Sequence, residues 1–104
     1  MSKMTEHDIK RASVNLETAQ IAWRELQRFF ASGSAIAVSD DLDLIEVAFQ
    51  ISEDNRTQVA RWMESGLVAR VSDKQALDWY DSDATVWAVV ARPYVLVQYK
   101  ADAP

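Results

Sequence analysis

The sequence predicts an α+β fold: a long N-terminal helix and three shorter helices packed on a small, mainly antiparallel sheet, with strands near 35–38, 67–71, 86–91 and 94–99. Three observations carry this. Ile9, Ala12, Leu16, Ala19, Trp23, Leu26 and Phe30 recur at alternating spacings of three and four, the period of an apolar helix face. The stretch VWAVVARPYVLVQYK (86–100) concentrates β-branched and aromatic side chains, which suit a half-buried sheet surface. Between them lie three apolar-periodic segments, each preceded by residues that cap helices.

Taken in order, Thr5-Glu6-His7-Asp8 reads as a capping box, and the helix it opens runs to Gly33, with Asn15 as a second place to start. Ala35-Ile36-Ala37-Val38 is a short strand. Ser39, Asp40 and Asp41 offer consecutive N-caps before Leu42. The segment 44–51 alternates like a strand in Ile45, Val47, Phe49 and Ile51, yet the caps in front favour a helix, and a helix is the expectation. Asn55-Arg56-Thr57-Gln58 opens another helix, whose apolar face is Val59, Trp62 and Met63 and whose stop is Gly66. Residues 67–71 form a strand. Ser72 with Gln75 caps a short helix in which Ala76, Leu77 and Tyr80 are expected to face inward. For 86–100 two drawings stand: a hairpin turned at Arg92-Pro93 with Pro at the second position of a type I turn, or one long edge strand. The usual limit of about 10 residues per strand favours the hairpin.

The totals bound function more than they define it. A chain of 104 residues is a single domain (1–104, with 1–4 and 101–104 expected to fray) and buries roughly 65% of its unfolded surface. With no cysteine there is no disulfide, thiolate nucleophile or Cys-ligated metal site. No apolar signal core and no run of about 18 apolar residues occurs, so a cytoplasmic protein without a membrane segment is expected. The net charge of −5 disfavours nucleic acid and anionic membranes as partners. Asp41-Leu42-Asp43 and Asp81-Ser82-Asp83 have cation-binding spacing but lack the glycine and distal glutamate of a calcium loop, so no metal is expected. His7 is the one histidine, and the two glycines lie 33 residues apart, so neither a histidine-assisted catalytic site nor a phosphate loop is encoded. No catalytic residue and no cofactor is assigned.

The blocks NLETAQIAWRELQRFFASG (15–33), DLDLIEVAFQISEDN (41–55), VARWMESGLV (59–68) and WAVVARPYVLVQ (87–98) together resemble a bacterial family known as domain of unknown function 2288. The resemblance implies a small bacterial protein and brings no activity, ligand or site residue with it. A second resemblance, to winged-helix domains, rests on 42–52, 53–55, 56–65 and the phrase ESGLVARV (64–71). It departs from that pattern in the helix expected at 73–82 and in Glu53-Asp54 at the end that would approach phosphates.

Three functions remain. Self-association or a protein partner is the leading one, with Trp79, Tyr80, Tyr94 and Tyr99 as candidate interface anchors and an unpaired sheet edge as a route to assembly. Adjacent helix positions point about 100° apart, so Trp79 and Tyr80 are not both buried by one face. The nucleic-acid alternative assigns Asn55, Arg56, Gln58 and Arg61 to groove contacts and Arg70 and Arg92 to phosphates. The enzymatic alternative requires buried, tuned carboxylates among sixteen acidic residues.

Overall fold

The computed structural model describes residues 18–100. It is an α+β arrangement of four short helices on a five-stranded, mostly antiparallel sheet. The elements in order are β1 (Ala19–Ala22), a 3-10 turn (Trp23–Leu26), α1 (Gln27–Ala31), β2 (Ala35–Val38), α2 (Leu44–Ser52), α3 (Arg56–Glu64), β3 (Val68–Arg70), α4 (Asp73–Asp81), β4 (Thr85–Ala91) and β5 (Tyr94–Gln98). The sheet order is β1-β4-β5-β2-β3, and β2 runs parallel to β5.

The expected long helix is corrected at its centre. Residues 19–22 form an edge strand that pairs Ala19 with Ala88 and Ala22 with Thr85. Only the later part of the apolar series, Trp23, Leu26 and Phe30, lies on helical turns. The proposed start near residue 5, its capping box, the alternative start at Asn15 and the fraying of both termini lie outside the described residues.

The segment 44–52 is a helix, as its caps imply, but the cap is Asp43. Its carboxylate accepts from the N–H groups of Ile45 (2.9 Å) and Glu46 (3.4 Å), while Ser39 Oγ accepts from Asp41 N. At α4 the capping box is complete, with Ser72 Oγ accepting from Gln75 N and Gln75 Oε1 from Ser72 N. Its inward face differs from expectation. Ala76 and Trp79 are buried, whereas Leu77 and Tyr80 face solvent. Gly33 and Gly66 both take φ +79°, the left-handed conformation that ends α1 and α3. The last stretch is a hairpin with Arg92 and Pro93 between the paired Ala91 and Tyr94. Pro93 occupies the third turn position after a cis peptide, a type VI arrangement in place of the expected type I.

Because strand side chains alternate, the sheet presents two apolar faces, and helices cover both. On one, Val86, Val95, Val97 and Ala35 pack with Trp23, Leu26, Ala76 and Trp79. On the other, Val38, Val68, Val89, Ala91 and Leu96 pack with Leu44, Val47 and Ala48, and Ile51 and Trp62 adjoin them. This layering positions α3 beside β3 at the sheet edge, which is where a cavity opens.

Candidate binding site at the edge of the sheet

α3 begins at Asn55, whose side-chain oxygen accepts from Gln58 N, and it ends at the Gly66 turn that feeds β3. α3 therefore lies over Ile36 and Val68, a cross-strand neighbourhood fixed by the pairing of Ile36 with Arg70 and of Val38 with Val68. The helix does not seal the sheet. A cavity of about 360 Å³ remains, lined by Ile36, Ile51, Val59, Ala60 and Val68 together with Met63, Tyr94, Asp54, Asn55, Arg56 and Arg70. Met63 is 57% exposed and Tyr94 39% exposed, so two large side chains stand open to solvent at this groove.

The charged groups there differ in their engagement. Arg56 Nε lies 3.3 Å from Asp54 Oδ1, an exposed pair of little energetic weight. Arg70 places its guanidinium near the Gly33 backbone and, among the described residues, has no ion-pair partner. A second cavity, of about 540 Å³, lies on the opposite face beside β3. Ser39, Asp40, Gln75, Asp78, Trp79 and Tyr99 line it, and the rings of Trp79 and Tyr99 are tilted together at 5.9 Å.

The structure separates the residues that the sequence singles out. Of the four aromatic anchors, Tyr94 borders the first cavity, and Tyr99 and the buried Trp79 border the second. Tyr80 lies elsewhere, with the Arg24 guanidinium 4.7 Å from its ring centre. Of the nucleic-acid set, Asn55, Arg56 and Arg70 reach the first cavity, while Gln58, Arg61 and Arg92 are not among its lining residues. Asn55 is also committed at both ends of its amide, since Nδ2 donates to Gln50 Oε1 at 2.7 Å. The aliphatic lining and the exposure of Met63 were missed, because Met63 reads as part of the inward face of α3. The spacing Arg56, Val59, Ala60, Met63 is the signal that could have found them: it widens the apolar face of Val59 and Met63 to the side away from Trp62.

Among the described residues, no three His, Cys, Asp or Glu side chains converge as a metal site. No helix among them is long and apolar enough to cross a membrane.

A comparison with curated proteins gives no match. The solution structure of PA1075 from Pseudomonas aeruginosa is similar, with a TM-score of 0.80 and 42% identity over 98% of this chain and 95% of that one. The family model described as "Protein of unknown function (DUF2288)" matches residues 9–99. With nearly the whole described fold inside that match, the chain belongs to the DUF2288 family.

Proposed function

We propose that this protein is a non-enzymatic binding module of the bacterial cytoplasm that engages a protein partner through the groove between α3 and the β2–β3 edge. The observation that supports this best is the exposed Met63 beside a cavity whose lining is mainly aliphatic, with Ile36, Ile51, Val59, Ala60 and Val68 outnumbering the polar Asp54, Asn55, Arg56 and Arg70. Cavities of that composition hold apolar groups and orient them with few polar contacts. A methionine there adapts its unbranched chain to the shape it meets.

Two observations favour this over the alternatives. Of the six nucleic-acid candidates only Asn55, Arg56 and Arg70 line the groove, while Gln58, Arg61 and Arg92 do not. The acids that line the two cavities, Asp40, Asp54 and Asp78, are solvent-exposed, whereas carboxylate catalysis requires at least one desolvated acid.

The test is recovery of partners from lysate of a bacterium that expresses the protein, with wild type and Met63→Gln compared and both protein and nucleic acid assayed. A protein retained by wild type and depleted with Met63→Gln is expected. Recovery of nucleic acid alone, or of the same proteins by both baits, overturns the reading.

A further inference from the structure

Among the described residues, the outer side of β3 is an unpaired backbone edge. Ser39 N donates to Leu67 O and Val71 N to Ala35 O, so Leu67, Ala69 and Val71 turn their backbone polar groups toward β2. By the alternation of an antiparallel ladder, the N–H and C=O groups of Val68 and Arg70 point the other way. Among the described residues those four groups have no backbone partner. Natural edges of this kind are usually shortened, charged or covered. β3 is short, Arg70 is its one charge, and Ala69 is small and exposed.

The two cavities meet at this edge. Ala69 and Arg70 line both, one cavity on the α3 face and the other on the α4 face. A strand added to a sheet sends successive side chains to opposite faces, so its alternate residues would enter alternate cavities. Building on the groove reading above, we propose that β3 accepts an extended segment of a partner protein as a sixth strand. Complementarity fixes the chemistry of that segment. On the α3 face it carries an apolar side chain for the groove and a carboxylate within reach of Arg70, which has no ion-pair partner among the described residues. On the α4 face it carries a basic side chain, whose stem lies against Tyr99 and whose charge meets Asp40 and Asp78.

The test is selection of a displayed random dodecapeptide library against the full chain, followed by backbone N-methyl scanning of the enriched peptides. Expected sequences alternate apolar or acidic with basic residues, and binding shifts the amide resonances of Val68–Arg70. Methylation at alternate peptide positions weakens binding about tenfold, the loss of one hydrogen bond, while the intervening positions tolerate it. Arg70→Pro, which removes an outward N–H, abolishes binding, whereas Arg70→Ala weakens it and keeps the period-two pattern. The methyl scan decides the matter even if Arg70→Pro fails to fold.

Peptides that bind without period-two sensitivity, or that shift α3 alone, overturn strand addition and leave the groove reading intact. Failure to enrich any peptide overturns both. Amides of Val68 and Arg70 that resist exchange before peptide is added assign the edge to the chain's own terminal residues or, if a dimer sediments, to a second copy; either result overturns the proposal.

Discussion

The indole N–H of Trp23 donates to the carbonyl oxygen of Ala76 at 3.1 Å, joining positions 53 residues apart inside the core. Trp23 has no exposed surface and packs edge-on against Trp79 at 5.1 Å and Phe30 at 5.9 Å. Its neighbour Arg24 repeats the link at the surface, donating from Nε and Nη2 to Tyr80 O. The 3-10 turn after β1 is thus fastened to α4 at two successive residues.

Trp23→Phe keeps an aromatic ring but removes the donor and opens a cavity beside Trp79. A loss of about 2–4 kcal/mol is expected, combining the unmade hydrogen bond with the void. Urea unfolding with an unchanged slope and a lowered midpoint checks it. Arg24→Ala removes only exposed contacts and should cost under about 1 kcal/mol in the same measurement.

Gln98 is a buried polar residue of the sheet, 2% exposed, and its amide donates to Ser39 O at 2.8 Å and Leu42 O at 2.7 Å. It ties the β2–α2 loop to the sheet. Gln98→Leu keeps the volume and leaves both carbonyls without this donor, so a cost of about 1–3 kcal/mol is expected. Hydrogen exchange locates the effect: faster exchange at 39–45 is the expected signature, and uniform loss across the sheet would contradict it.

Much of the fold was legible because local signals agreed with tertiary ones. Capping side chains before Arg56 and Asp73 announced helices, the acids ahead of Leu44 announced α2 although Asp43 and not Ser39, Asp40 or Asp41 is its cap, and the β-branched run from Val86 announced the hairpin. β1 was not legible. Ala19-Gln20-Ile21-Ala22 is too short to display a period of two, holds two alanines, and falls in step with a seam spaced for a helix. What makes it a strand is the backbone of β4, whose residues 85–88 take their outer hydrogen-bond partner from it. Propensity yields to pairing at such an edge. The groove was illegible for a related reason: Ile36, Ile51, Met63, Val68 and Tyr94 come from five separate elements. Nothing in their sequence spacing brings them together.

The competition among caps before α2 is testable residue by residue. Asp43→Ala removes the carboxylate that accepts from Ile45 N and Glu46 N, and should cost about 1 kcal/mol. Asp40→Ala and Asp41→Ala lack that role and should stay within about 0.5 kcal/mol of wild type. Equal effects at all three positions in thermal unfolding would show that charge near the helix start, not the cap itself, sets its stability.

Met63 should separate stability from binding. It lies in the last turn of α3 with more than half its surface open, so the fold draws little from its side chain. Glutamine has similar length and helix propensity, so Met63→Gln should unfold within about 0.5 kcal/mol of wild type. Val68→Ala is the contrasting case, since Val68 is 2% exposed and belongs to the core beneath the same groove. Truncating it should cost about 2 kcal/mol or more. If the groove is the contact surface, Met63→Gln loses the partner at unchanged stability, whereas Val68→Ala lowers stability whatever it does to the partner. A Met63→Gln variant that unfolds early would mean that the side chain supports the packing of α3 instead. One that stays stable and keeps its partner would move the contact surface away from this groove.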